Sequence, residues 1–169
     1  ENKIVGVVTQ KDGDVEDPSI NDVYHTGTVA YIIKLLQMPD GNNTVIIQGR
    51  NRFEIEEFIQ VEPYFQAKVK PIKQVHSSSR NDQSFTALVD SVKDLSLQII
   101  KQSPNIPTEA SFAIQNIESP NFLVHFVCSN LSVNIEEKQR LLEINDFDTL
   151  AQSVLGHLTK ELQLIELKS

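Results

Sequence analysis

Near residue 75 the apolar pattern changes period, and no all-α or all-β fold accommodates both sides of that change. Before it the chain is rich in β-branched residues and turn signals. After it apolar residues recur at helical spacing. The chain therefore reads as α+β, with a β-rich subdomain at 1–75, a linker at 76–83 and a helical subdomain at 84–169. With 169 residues it can bury a core without a disulfide or a metal staple.

The β part opens with Ile4, Val5, Val7 and Val8, a short run expected to be a buried strand. The stretch KDGDVEDPS that follows carries Gly13, Pro18 and several acids, so it is expected to be a loop. NDVYHTG is expected to hold one helical turn, with Asn21 or Asp22 as cap and Gly27 ending it. TVAYIIKLLQ is apolar on both faces, as expected of a strand central in a sheet. Asp40-Gly41 is expected to supply the positive-φ positions of a tight hairpin. The return strand TVIIQGRNRFEIEEFI is interrupted by Gly49, which predicts a bulge or bend. A last strand, YFQAKVKPI, is closed by Pro71 or placed by it at an edge. Together these predict a bent antiparallel sheet.

The linker HSSSRND is small, polar and aperiodic. Beyond it Phe85, Leu88, Val89, Val92, Leu95 and Ile99 predict a helix. Pro104 and Pro107 break the chain, and Thr108 is expected to cap a short helix containing Phe112 and Ile117. Ser119-Pro120 is a helix start with proline at the first helical position, and Phe122, Leu123, Phe126 and Val127 are its expected buried face. Asn134 and Glu137 have capping-box spacing. Asp146 opens a last helix with Phe147, Leu150, Val154, Leu158, Leu162 and Ile165 on one stripe. That helix is expected to run roughly 20 residues, about 30 Å. Leu162, Leu164, Ile165 and Leu167 keep its end apolar around more than one face, so the chain is expected to continue past Ser169. It begins with Glu1 rather than Met, which also reads as a piece of a longer protein.

The search for chemistry is mostly negative. No phosphate loop, dinucleotide fingerprint or nucleophile elbow is present. His125 and Cys128 sit three apart, but structural zinc needs four ligands, so they read as a semi-exposed histidine and a core cysteine on a buried apolar helix. His25, His76 and His157 read as surface or hydrogen-bonded residues. Glu54, Glu56 and Glu57 read as a solvated strand face rather than an acid pair. Arg50 and Arg52 are expected to bind nearby carboxylates rather than phosphate. Two Asn-x-Ser/Thr sequons, Asn42-Asn43-Thr44 and Asn130-Leu131-Ser132, matter only in a secreted chain. Cys128 is the single cysteine, so no intrachain disulfide can form, which favours a reducing compartment. No segment approaches the length of a membrane-spanning helix. The 23 acidic residues exceed the 15 basic ones, for a net charge of −8, which disfavours nucleic-acid partners.

The order and spacing of the β-part motifs resemble the N-terminal domain of the ATP-dependent Lon protease family. They are Val8 to Asp12, Asp22-Val23-Tyr24, Gly27-Thr28-Val29-Ala30, Met38-Pro39-Asp40-Gly41, Gly49 and Arg52. In the helical part NIPTEA, IESPNFLVHFV and EEKQRLLEINDFDTLAQSVLGHL are similar to the segment that leads toward that enzyme's ATPase. The resemblance covers essentially the whole chain. It implies a PUA-like pseudo-barrel followed by a helical bundle with a long C-terminal helix, the acidic loop being the crossover between the first two strands. Three departures stand out. The strand with a P-L-R-like run and the helix that usually precede Ile4 are absent. Met38 replaces a common leucine, and DFDTLAQ lacks a frequent arginine. The missing strand predicts an open sheet edge, with pairing between chains or disorder at residues 1 to 4.

The resemblance implies a non-catalytic arm that recognises unfolded or damaged proteins and supports assembly of a homo-oligomer, a hexamer, in the cytoplasm. It implies no cofactor in this segment. ATP and magnesium belong to an ATPase, and cleavage to a Ser-Lys dyad, both expected beyond Ser169. An arm of this kind needs accessible, adaptable apolar groups, and methionine suits the role. Met38 and Pro39 at the hairpin tip, Leu36 beside them, and Tyr24 are the candidate contacts; ordinary turn packing is the competing reading. Other functions in view are a stand-alone adaptor of the same domain family and an RNA-binding PUA-like module, the latter opposed by the charge.

Overall fold

The computed structural model describes residues 3–76 and 82–168. The chain separates into two units, Glu1–Lys73 and Gln74–Ser169. The first holds four strands: β1 (Ile4–Val7), β2 (Thr26–Gln37), β3 (Asn43–Gln60) and β4 (Gln66–Ile72). They form one antiparallel sheet in the order β1-β2-β3-β4. β1 and β4 are thus its edges, and Pro71 lies in the edge strand β4, where a missing N–H is tolerated. Between the pairs Ala30↔Gly49 and Thr28↔Arg52, β3 carries one residue more than β2. That bulge falls at Arg50-Asn51, immediately beside Gly49, as the sequence pattern predicts. The disorder expected at residues 1 to 4 falls in part on residues 1 and 2, outside the described residues.

Buried hydrophobic side chains in this unit are few: Val23, Ala30 and Phe53. The Phe53 ring lies on two glycines. A Cβ on Gly6 would meet its Cζ at 3.0 Å, and a Cβ on Gly27 would meet the same atom at 3.0 Å and the Val7 carbonyl oxygen at 2.2 Å. Gly27 therefore does not end a helical turn as expected. It pairs with Phe53 inside β2, where the backbone of Val7 leaves no room for a side chain.

The local helix is a 3-10 turn at Ile20–Asp22 with Ser19, not Asn21 or Asp22, at its N-cap. Asp22 is the reciprocal partner of a capping box: the Ser19 N–H and hydroxyl both donate to its carboxylate, at 2.7 and 2.9 Å. β1 is not buried as expected. Ile4, Val5 and Val7 are exposed in a strand at the sheet edge, paired among the described residues with β2 alone.

The second unit contains α1 (Gln83–Gln102), α2 (Glu109–Gln115), α3 (Pro120–Ser129), α4 (Ile135–Leu142) and α5 (Phe147–Lys168). The expected linker lies mostly on residues 77–81, outside the described residues. Asp82 caps α1 by accepting the Ser84 N–H at 2.7 Å. α5 has 22 residues, about 33 Å of helix. Its start is held by Asp146, which accepts the Thr149 N–H and hydroxyl at 3.0 and 2.8 Å. Phe147, Leu150, Ala151, Val154, Leu158 and Leu162 bury the inner face of α5 against Phe85, Val89, Val92 and Ile99 of α1 and Leu123, Val124 and Val127 of α3. Val75 joins this unit through its N–H to the Asn145 carbonyl at 2.8 Å, and its carbonyl accepts the Phe147 N–H at 2.7 Å.

Three expectations for the helices need correction. Phe122 is 59% exposed, and the buried face of α3 is Leu123, Val124 and Val127. Positions 123, 124 and 127 follow the i, i+1, i+4 stripe, whereas position 122 falls one step outside it and stacks on Phe126. α2 contains Phe112 as expected, but Ile117 lies past its end at Gln115. Thr108 makes no side-chain cap, because its backbone is already helical there.

Candidate functional site

The strand lengths define the most exposed feature of the β unit. β1 has 4 residues and ends its pairing with β2 at Tyr31. β4 pairs with β3 only from Arg52 to Gln60. β2 and β3 have 12 and 18 residues. From Ile33 to Gln48, therefore, the sheet is a hairpin of two strands with no third strand on either side among the described residues. Leu35 pairs with Val45, Lys34 with Ile46, and Ile32 with Ile47. β2 carries one extra residue at Ile33 between the last two of these pairs. Directly opposed residues share a face. Leu35, Val45 and Ile47 thus lie together on one face, and Ile46 on the other.

Those side chains are open to solvent: Ile33 is 59% and Leu35 64% exposed, and Val45, Ile46 and Ile47 are exposed as well. β2 is an inner strand of the sheet, as expected, but within it only Gly27 and Ala30 are buried, both in its first half. At the base of the arm the Arg50 guanidinium sits over the Tyr31 ring, 4.9 Å from its centroid. Arg50 thus takes an aromatic face rather than the expected carboxylate.

The tip is a three-residue loop, not a two-residue one. The Gly41 N–H donates to the Met38 carbonyl at 3.0 Å, and the Met38 N–H donates to the Asn42 carbonyl at 2.8 Å. Pro39-Asp40 form the centre of a type I-like turn, and Gly41 alone has positive φ, at 89°. Asp40 fixes the far side by accepting the Asn42 N–H at 3.0 Å. Met38 is left 41% exposed, Pro39 is exposed and Leu36 half-buried.

Leu36, Met38 and Pro39 are therefore brought together. Tyr24 is not: it precedes β2, with the whole 12-residue strand, roughly 40 Å of extended chain, between it and the tip. Its N–H donates to the Thr9 carbonyl at 2.9 Å, and Lys11 Nζ lies 5.7 Å from its ring centroid. Sequence reasoning missed Ile33, Leu35, Val45, Ile46 and Ile47. The available signal was the mismatch between a four-residue first strand and the much longer apolar runs it would have to accompany.

Two depressions adjoin the sheet. A groove of about 300 Å³ runs between the edge strands, lined among others by Ile4, Val8, Phe53, Phe58 and Val69. A cleft of about 480 Å³ lies between the acidic loop and the β3–β4 connection. Phe65 lines both, and packs edge-on against Phe58 with centroids 5.5 Å apart.

The remaining candidates are structural. Glu54 and Glu56 face Lys70 and Lys68 across β4 at 3.7 and 3.9 Å, a solvated ion-paired strand face. His125 is exposed and its ring lies 3.2 Å from the Gln74 amide, while Cys128 is half-buried with its thiol pushed up by burial. Among the described residues no three His, Cys, Asp or Glu side chains group as metal ligands. No described helix is long and apolar enough to cross a membrane.

Asn134 caps α4 by accepting the Glu137 N–H at 2.8 Å, but the Glu137 carboxylate does not turn back to complete a capping box. It receives Arg140 Nε at 2.6 Å and lies 2.5 Å from His157 Nε2, tying α4 to α5. The Arg140 hydrogen bond first, and His157 next, hold its carboxyl down at about 2 against an ordinary 4.5. A depressed carboxylate stabilises the fold above its ordinary pKa, and that contribution is lost as pH falls from about 4.5 toward 2. Arg140 is half exposed, so solvent and salt limit the effect to about 1 kcal/mol. Glu137→Gln is expected to lower stability by that amount at pH 7 and to flatten the acid limb of the denaturation curve. An unchanged acid limb would show that the cluster contributes nothing.

A four-stranded antiparallel sheet with an exposed apolar arm, followed in the chain by five described α-helices, defines an α+β class of domain. The family model described as the ATP-dependent protease La (LON) substrate-binding domain matches residues 1–160, and the chain belongs to that family. It is 52% identical to a Lon protease of Flavobacterium johnsoniae over 99% of its length and 43% identical to one of Cytophaga hutchinsonii over 99%. In each case it spans about a fifth of the relative, 20% of its length. The N-terminal domain of a Mycobacterium avium complex Lon protease has the same fold, with a TM-score of 0.66 at 14% identity over 94% of this chain and 90% of that one. The Lon N-terminal domain protein from Xanthomonas campestris gives 0.56 at 11% identity, over 90% and 88%.

Proposed function

We propose that this chain is the substrate-capturing arm of a homo-oligomeric, ATP-dependent Lon serine protease, and that it binds unfolded or damaged proteins in the cytoplasm for quality control. ATP- and magnesium-driven unfolding and Ser-Lys cleavage are assigned to the rest of a Lon polypeptide. The observation that carries the reading is the exposed hairpin: Ile33, Leu35, Val45, Ile46 and Ile47 stand open to solvent, and a flexible methionine stands at its tip. Unfolded chains expose apolar segments that native proteins hide, and burying one such side chain is worth about 1.5–3 kcal/mol. A two-stranded ribbon also adapts to many sequences, because it offers area rather than a shaped pocket.

Contact by Leu36, Met38 and Pro39 at the tip, extended by Ile33 and Leu35 along the arm, follows from this reading. Tyr24 forms at most a separate contact at the far end of β2. The paired substitution Leu35→Ser, Met38→Ser is expected to weaken binding of a permanently unfolded polypeptide by about tenfold or more. Both sites are exposed, so the fold is expected to survive. Unchanged affinity would remove the hairpin from the capture surface.

A further inference from the structure

The cleft between the acidic loop and the β3–β4 connection is not used by the hairpin, and its composition is specific. One wall is Asp17, Pro18, Ser19 and Ile20; the other runs from Val61 through Pro63 and Tyr64 to Phe65 and includes Glu62. Val61, Tyr64 and Phe65 are exposed apolar side chains. Both walls are held in place. The reciprocal bonds between Ser19 and Asp22 fix the first. In the second, Gln60 donates to the Tyr64 carbonyl at 3.1 Å and Gln66 donates to the Tyr64 hydroxyl at 3.3 Å.

The charges point to one kind of occupant. Segment 11–18 has four acids against one base. The base, Lys11, is drawn over Tyr24. Asp22 is consumed by Ser19, whose backbone N–H and then hydroxyl keep its carboxyl below the usual range. Asp17 and Glu62 remain, one on each wall, with no hydrogen bond or ion pair to a described residue. A cleft that combines the exposed apolar side chains Val61, Tyr64 and Phe65 with these two carboxylates is complementary to a long cationic side chain. Such a side chain lays its methylene stem on apolar surface and holds its charge at the rim. An aromatic face beside it adds a cation–π contact.

We propose that this cleft is a second capture site, which takes an extended peptide segment carrying arginine or lysine between apolar residues. The stem lies along Val61, Pro63 and Tyr64, and the charge lies between Asp17 and Glu62. The proposal rests on the reading that the chain captures unfolded segments, and it narrows the substrate class: among unfolded chains, those with basic residues set in apolar surroundings are preferred. Phe65, shared with the groove between the edge strands, gives the same segment a continuous apolar path.

The test uses the 169-residue chain and a pair of short fluorescent peptides. One alternates arginine with leucine and phenylalanine, and its twin replaces arginine with the neutral isostere citrulline. The arginine peptide is expected to bind roughly three- to tenfold tighter at low salt, the range two exposed ion pairs provide. The preference should disappear in Asp17→Asn, Glu62→Gln and at high ionic strength. Tyr64→Ala should weaken the arginine peptide more than its twin. Equal affinities in the unaltered chain, or a preference that survives the double substitution, overturns the cleft while leaving capture by the hairpin standing. Binding of neither peptide overturns the capture reading and this proposal with it.

Discussion

Replacing Phe147 with alanine is expected to cost the helical unit about 3–5 kcal/mol, the range for removing a large aromatic from a packed core. Phe147 is 0% exposed and begins the inner face of α5. Its ring lies 5.6 Å from Phe85 and 5.2 Å from His76, centroid to centroid. Its N–H is also committed to the Val75 carbonyl. The side chain therefore joins α1, α5 and the segment before α1 at one point, where backbone hydrogen bonds restrict collapse into the cavity. Denaturant unfolding followed by far-ultraviolet circular dichroism checks this, since helices dominate that signal. Val154→Ala, equally buried but smaller, should cost distinctly less. A loss under about 1 kcal/mol for Phe147→Ala would mean the described core is wrong.

Gly27→Val should be the most damaging change in the β unit. A Cβ there meets the Val7 carbonyl oxygen at 2.2 Å and Val8 Cγ1 at 2.7 Å. The first obstacle is backbone, which no rotamer change relieves, so β1 must leave β2. Overpacking costs about 1–3 kcal/mol where side chains can give way, and this site is expected at or above the top of that range. Amides of Ile4–Val7 and their partners Thr28–Tyr31 should lose protection from hydrogen exchange. Gly13→Ala is the matched control, because nothing lies within 4 Å of its would-be Cβ. If Gly27→Val keeps full protection in β1, the close approach of Val7 is not real.

Local signals in the sequence read well wherever one residue type has one physical use. Ser119 before Pro120, Asn134, Asp146 and Gly41 each act through their own backbone neighbourhood, and each stands where the pattern put it. The bulge beside Gly49 is of the same kind. What local pattern cannot carry is cover. Phe112 and Phe122 are as apolar as Phe85, but whether a partner faces them depends on how the helices cross. The alternation in β2 likewise says which residues share a face, not that Ile33 and Leu35 stand exposed.

Gly27 misled for a related reason: glycine ends helices and also permits strands to approach, and only the position of Val7 separates the two. The hairpin tip at Met38-Pro39 was legible because turn chemistry marks it. The arm behind it, and the cleft at Asp17 and Glu62, depend on strand lengths and on contacts between distant segments.

The most direct measurement is amide hydrogen exchange of this chain with and without a permanently unfolded polypeptide, run in parallel on Leu35→Ser, Met38→Ser. Added protection is expected across residues 31–48, reduced in the paired variant at equal polypeptide concentration. Protection confined to the helical unit, or hairpin protection that the two serines leave untouched, would contradict capture by the apolar arm.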